Sequence, residues 1–242
     1  MRTVRTNALS LAAAALSLVA CLAGCGIDEY IYLEPVSNVT NNPTDTPDAS
    51  FRYYAFITKD ADNAANASGY FKGWEIYYRI YNSQSDRNTD TAAIAAKIDA
   101  DPANAFYYVS TTKKYRRMTF IHGNDTSAPY SAPLLTGDTV DRTVLIRPYT
   151  INETYPAAFT VNGVPWTISG ENVLVWRSVS EVLAKSFEHA DISSTDADVQ
   201  FNSGSSTGSW YAQAYAFAYG FDTSFKVIYS KPVSLGSITI EP

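Results

Sequence analysis

"YFKGWEIYYRIYN", residues 70–82, is the stretch that decides the fold. Trp74, Ile76, Tyr78 and Ile80 alternate with Glu75, Tyr77, Arg79 and Tyr81. A period of two belongs to a strand whose successive side chains point to opposite faces. The first set is the more apolar, so it is predicted to face a core, with the second set turned outward.

Working outward, the chain continues as short runs of Tyr, Phe, Val, Ile and Thr bounded by turn residues, the composition that suits a pleated, half-buried surface. Phe51 to Thr58, Ala105 to Thr111, Arg116 to His122, Arg142 to Pro148 and Val173 to Val179 all read as strands. Residues 30–39 admit an earlier first strand, with Tyr30 and Tyr32 on one side and Ile31 and Leu33 on the other. "FTVNGVPWTI", residues 159–168, sets Asn162-Gly163 between apolar arms, and a type I′ hairpin turn requires positive φ at both central positions. Pro165 has no N–H to donate to a ladder, which places its arm at a sheet edge.

Two segments read as helical. "TDTAAIAAKIDAD", residues 89–101, offers Asp90 as a cap with Ile94 and Ile98 four apart. "SVSEVLAKSFEHA", residues 178–190, offers Ser178 and Glu181 as a capping box, although the same residues suit a strand running into a loop. Near the C-terminus, Ala212, Ala214, Ala216 and Ala218 share one face of a strand and Tyr211, Tyr215, Phe217 and Tyr219 the other. A face of alanines predicts the close approach of another element, such as an inserted helix.

Gly73 to Ile80 reads Gly-aromatic-x-Ile-Tyr-Tyr-x-Ile, Ala218 to Asp222 reads Ala-Tyr-Gly-x-Asp, and Tyr229 to Val233 reads Tyr-Ser-x-Pro-Val. Leu33 to Val39 adds a proline-containing first strand. Over these stretches, roughly 75 residues, the chain resembles the fibronectin type III fold, which implies an immunoglobulin-like antiparallel β-sandwich across residues 51–242. Two features depart from that family. Residues 83–209 are far more than the remaining strands need, so the module is elaborated or carries a second β unit. Ala212 stands where the family presents a tyrosine.

The N-terminus has a different character. Arg2 and Arg5 precede an apolar run from Ala8 to Leu22, too short for the roughly 20 residues of a membrane-spanning helix but suited to an export signal. Leu22-Ala23-Gly24-Cys25 then resembles the lipobox of bacterial lipoproteins. That resemblance implies removal of residues 1–24 and a diacylglyceryl and acyl anchor on Cys25. Cys21, in Leu18-Val19-Ala20-Cys21, is the second choice because it lies within the signal core. Gly26, not aspartate, follows Cys25, and in that family this implies an outer-membrane tether. Residues 25–50, rich in Asn, Thr, Asp and Pro toward their end, read as the lipidated cysteine and a tether.

Signal removal takes two of the 18 basic residues and none of the 24 acidic ones, leaving a formal charge of −8. Such a chain disfavours nucleic acid and anionic headgroups as partners. With one cysteine left, and that one lipidated, disulfides and cysteine-based metal sites are excluded.

The catalytic motifs are weak. "GSSTG", residues 204–208, matches the pattern of a nucleophile elbow around Ser206, but the next segment reads as strand and both histidines, His122 and His189, precede the serine. His189 is expected at a helix C-terminus. "DAD" occurs at residues 60–62, 99–101 and 196–198, and Asp60 and Asp62 are weak candidates for calcium in the absence of a distal acid. Of the tryptophans, Trp74 and Trp176 sit in strands as core residues, while Trp166 and Trp210 flank a turn and a Ser-rich loop and are candidates to stack on a ligand.

The expectation is a lipid-anchored envelope protein whose sandwich binds a protein or glycan partner, without catalysis, metal or cofactor beyond the lipid. A glycan hydrolase with unidentified acids and a purely structural spacer are the alternatives. Cys25→Ser is expected to abolish acylation while Cys21→Ser leaves it intact. Mass spectrometry of the mature N-terminus checks this, and a lipidated Cys21 overturns the choice.

Overall fold

The two strands richest in aromatic residues are also the longest, and they lie side by side. The computed structural model describes residues 31–45, 48–122, 133–180, 183–205 and 208–242. In chain order the strands begin with β1 (Ser37–Asn41), β2 (Tyr54–Ile57), β3 (Phe71–Tyr81), β4 (Arg116–Arg117), β5 (Thr119–His122) and β6 (Leu135–Thr136). They continue as β7 (Thr143–Arg147), β8 (Ala158–Val161), β9 (Val164–Pro165), β10 (Thr167–Ile168), β11 (Glu171–Ser178) and β12 (Ala184–Lys185). The last four are β13 (Val199–Gln200), β14 (Trp210–Phe221), β15 (Val227–Tyr229) and β16 (Val233–Ile240). Helix α1 spans Asp60–Asn66 and α2 spans Gln84–Ala100. The signal segment, Cys21 and Cys25 lie outside the described residues, as do Ser206 and Glu181.

The chain is mainly β, and its described strands form three sheets. One runs β1-β2-β7-β8-β9, a second runs β10-β11-β12 with β5 also on β11, and the central one is built on β3 and β14. β16 and β15 pair with β14, while β4, β6 and β13 pair with β3. β13 alone runs parallel to its neighbour among the described strands. The predicted hairpin is β8–β9: Asn162 and Gly163 have φ of 53° and 77°, and Pro165 lies on the edge strand.

Facing residues on β3 and β14 explain the core. Trp74, Ile76, Tyr78 and Ile80 stand opposite Ala218, Ala216, Ala214 and Ala212. Opposed residues share a face, so large side chains from one strand lie beside methyl groups from the other. The first sheet closes over this surface with Tyr54, Phe56, Val144 and Ile146, all buried. The Tyr54 hydroxyl donates to the Ala212 carbonyl at 2.6 Å. Gly73 permits a second close approach, since a Cβ there would lie 2.1 Å from the Leu135 carbonyl oxygen of β6.

The opposite face corrects the expectation that Glu75, Tyr77, Arg79 and Tyr81 point to solvent. Tyr77, Tyr81, Tyr211, Tyr215 and Phe217 form a second buried cluster with Ile94, Val109 and Tyr115. Helix α2 therefore covers the aromatic face of β14 and not the alanine face. Ser83 caps it, accepting from the Asp86 amide at 3.2 Å. Asp90 is not the cap; it lies mid-helix and buried, 3.0 Å from the Tyr81 hydroxyl and 2.7 Å from Lys113 Nζ. A surface of tyrosine hydroxyls can receive a carboxylate where a purely aliphatic one would not.

Two further readings change and an open one is resolved. Residues 105–111 are helical, not a strand: Ala105–Tyr107 leads into a π-helical turn, Tyr108–Thr112, which sets Phe106 and Val109 against the aromatic cluster. Of the two readings open for residues 178–190, the described part follows the strand running into a loop, with only a 3-10 turn at His189–Asp191 in place of a capped helix. Ser178 and Arg177 pair instead with Ala184 and Lys185, and Phe187 turns in against Tyr78 with ring centroids 4.9 Å apart. The first strand starts at Ser37, because the Asn63 side chain of α1 takes the Glu34 N–H and C=O at 2.7 and 3.0 Å, occupying groups a strand would pair.

Trp74 is 1% exposed, and its indole N–H donates to Asp60 at 3.0 Å. Trp74→Ala is expected to destabilise the protein by about 3 to 5 kcal/mol through lost burial and a residual cavity. Urea unfolding at an unchanged midpoint would show the ring to be dispensable to the core.

Candidate binding site

β11 alternates strictly: Val173, Val175 and Arg177 are buried, whereas Leu174 and Trp176 are half-exposed on the other face. Trp176 is therefore not core, against the expectation for a strand tryptophan. It lines a surface pocket of about 330 Å³ with Lys185, Ser186, Asp191 and Ser193. Asp191 is the one carboxylate in that lining, and it accepts from the Ser186 hydroxyl at 2.5 Å.

Arg177 points the other way and holds the site together. Fully buried, its guanidinium donates to both oxygens of Asp198 at 2.9 Å, to Asp196 at 2.7 Å and to the Asp191 carbonyl at 2.9 Å. Asp198 also accepts from the Tyr78 hydroxyl at 2.7 Å, and Asp196 from Lys185 Nζ at 2.9 Å. Burial pushes the Tyr78 hydroxyl well above its ordinary pKa, and the neighbouring Asp198 charge adds to the shift, so the phenol stays a neutral donor. One guanidinium thus joins β11, the 191–198 segment and the central sheet.

Segment 184–193 presents a second surface. Its 3-10 turn, His189–Asp191, is anchored by Glu188, whose carboxylate accepts from the Thr150 amide at 3.0 Å. His189 accordingly sits in a short turn instead of at the end of a long helix. Its Nε2 lies 2.8 Å from the Gly208 carbonyl, and its ring centroid is 6.5 Å from Trp210. Phe201, 50% exposed, is 6.4 Å from Trp210 on the same patch. Asn82 fixes the loop beyond Phe201 by bonding the Asn202 and Ser205 carbonyls at 2.8 Å each and the Asn202 amide at 2.7 Å.

Of the residues singled out in the sequence, Trp210 thus falls in an aromatic cluster. Trp166 is half-buried between β9 and β10, and no ring contact joins it to Trp210 among the described residues. His122 ends β5, on another sheet edge. Asp60 and Asp62 diverge across α1. Asp60 is fully buried and accepts from Trp74, Thr58, the Asp138 amide and Arg142, whereas Asp62 is exposed and pairs with Lys59 at 3.1 Å. Asp60 is thus committed to Arg142, and Asp196 and Asp198 to Arg177. No cluster of three or more potential metal ligands occurs among the described residues.

Phe201 and Trp176 were missed in the sequence. Phe201 carried one signal: with Trp210 it brackets the Ser/Gly-rich loop. Comparison with known proteins gives no family model, no curated protein and no solved structure that matches the chain.

Burial opposes the charged form of Asp196, but the Ser193 amide, Lys185 and Arg177 outweigh it and hold its pKa below the usual carboxylate value. A lowered folded pKa adds stability above the unfolded value, about pH 4, and that increment disappears as pH falls through the folded one. Asp196→Asn is expected to be less stable at neutral pH by roughly 1 to 3 kcal/mol and to lose less on acidification below pH 4. Urea midpoints at a series of pH values check both signs.

Proposed function

We propose that this chain is a lipid-anchored envelope protein, tethered to the outer membrane through Cys25, whose β-sandwich is a non-catalytic glycan-binding module. The observation that carries the reading is the half-exposed Trp210 set between Phe201 and His189, beside a loop pinned by Asn82. Ring faces of this kind stack on the apolar faces of pyranoses, while the neighbouring pocket at Trp176 supplies hydroxyl, amine and carboxylate groups for sugar hydroxyls. A single lining carboxylate suits binding better than a hydrolytic pair set about 5 to 10 Å apart.

The fibronectin type III-like frame is part of the same proposal. What supports it is strand order: β1-β2-β7 in one sheet and β3-β14-β16 in the other match the two-sheet arrangement of that fold. Of the stretches that carried the resemblance, residues 73–80 fall on β3, 218–222 on the end of β14, 229–233 across the connection from β15 to β16, and 33–39 reach β1 only at Ser37. The β10-β11-β12 sheet and α2 are then elaborations between the framework strands, and the site lies where residues 189–201 meet Trp210 of β14.

The test is titration of the full chain, in a non-ionic detergent, with chito-, cello- and manno-hexaose and with purified peptidoglycan. Tryptophan fluorescence provides the readout. Saturable binding to at least one glycan is expected, with Trp210→Ala weakening it by about tenfold, roughly 1.4 kcal/mol, and Trp166→Ala leaving it unchanged. Absence of binding to all four, or a Trp210→Ala variant that binds as well as the parent, overturns the assignment.

A further inference from the structure

Residues 113–117, "KKYRR", place four cations in five positions of a chain whose formal charge is −6. Two are matched inward: Lys113 Nζ lies 2.7 Å from Asp90, and Arg117 lies 2.8 Å from Glu75, which is itself buried. Asp90 is shared with Arg79 at 3.8 Å, so one carboxylate serves two cations. No carboxylate pairs with Lys114 or Arg116 among the described residues. Asp196 and Asp198 lie close by, on either side of Ala197, but they are committed to Arg177 and Lys185. The neighbourhood therefore carries an excess of three positive charges in an otherwise acidic protein.

Three of these cations converge, two of them without a carboxylate partner among the described residues. Lys114, Arg116 and Arg117 line one pocket of about 340 Å³, with Ser110 and Tyr115 in its wall. The wall is held firmly: Tyr115 is 2% exposed and its hydroxyl lies 3.1 Å from that of Tyr81. Lys114 itself has φ of 55°, the left-handed region that side chains other than glycine seldom occupy. The turn is fixed on both sides by the Lys113 amide on the Tyr108 carbonyl at 2.8 Å and the Tyr115 amide on the Val109 carbonyl at 3.1 Å. Like charges brought into one concavity repel unless something neutralises them. A tetrahedral oxyanion meets both donor types present, a lysine point charge and the fork of an arginine.

We infer that this pocket binds a phosphate or sulfate group, held by Lys114 and Arg116 with Arg117 completing the positive wall. The group is one anionic substituent of a small ligand, because three charges gathered in one pocket do not form the extended stripe that nucleic acid requires. The pocket is distinct from the aromatic patch at Trp210, so the two assignments stand or fall separately.

The experiment titrates the full chain in non-ionic detergent with inorganic phosphate and inorganic sulfate at low ionic strength, by calorimetry and by amide chemical shifts. Saturable binding is expected, weakening with added sodium chloride. A Lys114→Ala, Arg116→Ala pair should bind at least about tenfold more weakly, whereas Lys72→Ala with Lys226→Ala, exposed cations elsewhere, should bind normally. Lys114→Gly, which relieves the left-handed backbone and so keeps the fold, should also weaken binding several-fold. Glycerol 1-phosphate and glucose 6-sulfate then distinguish a lipid headgroup from a charged sugar as the source, and tighter binding of either supports the site. No saturable binding of either ion, or equal binding by the parent and the Lys114 and Arg116 variants, overturns it.

Discussion

The pairing of β3 with β14 is the constraint on which the rest depends. Both strands are buried on two faces for most of their length, so their register has to satisfy two cores at once. On one face the solution is large against small, with Trp74, Ile76, Tyr78 and Ile80 beside four alanines, which lets the first sheet approach until Tyr54 bonds the Ala212 carbonyl. On the other face both strands contribute aromatic rings, and these need a thicker cover. Helix α2 and residues 102–112 supply it, with Phe106 stacked on Tyr229 at 3.4 Å and 10°. A one-residue slip would exchange the two faces and fit neither cover.

Around this pair, buried charge joins the elements to one another. Asp60 ties Arg142 and Trp74 together, Glu75 holds Arg117, and Asp198 links Arg177 of β11 to Tyr78 of β3. Desolvating such ions is expensive, and their attraction repays that penalty only when the remaining lone pairs are also satisfied. Asp60 meets the condition with four donors, and Arg177 meets it with two carboxylates and a carbonyl. Replacing one partner leaves the other charge buried and alone, which is why these contacts specify the placement of the elaborating segments.

The same contacts place both sites. Because Arg177 turns into the core, strict strand alternation turns Trp176 out, and the 184–193 segment folds back over β11 to build the pocket beside it. Its other side reaches Trp210 through His189. The basic pocket arises from a similar division, in which Lys113 and Arg117 are spent on buried acids and Lys114 and Arg116 remain at the rim. In each case the group that holds the fold lies next in sequence to one that lines the pocket.

The sequence by itself determined that the chain is mainly β, that β3 and β14 are strands, that Trp74 faces a core, and that a hairpin turns at Asn162-Gly163. These features are local: they follow from a period of two, from the backbone preferences of glycine and proline, and from apolar side chains leaving water. Tertiary structure alone decided which face of β14 the helix covers, that Ala184 and Lys185 pair with β11 instead of lying in a helix, and that Trp176 is half-exposed while Glu75 is buried. Those outcomes depend on partners distant in the chain. Glu75 is buried because Arg117, Tyr77 and Tyr229 gather around it, and Asp60 and Asp198 find arginines 82 and 21 residues away. A carboxylate's sequence neighbours do not reveal which cation the fold will bring to it.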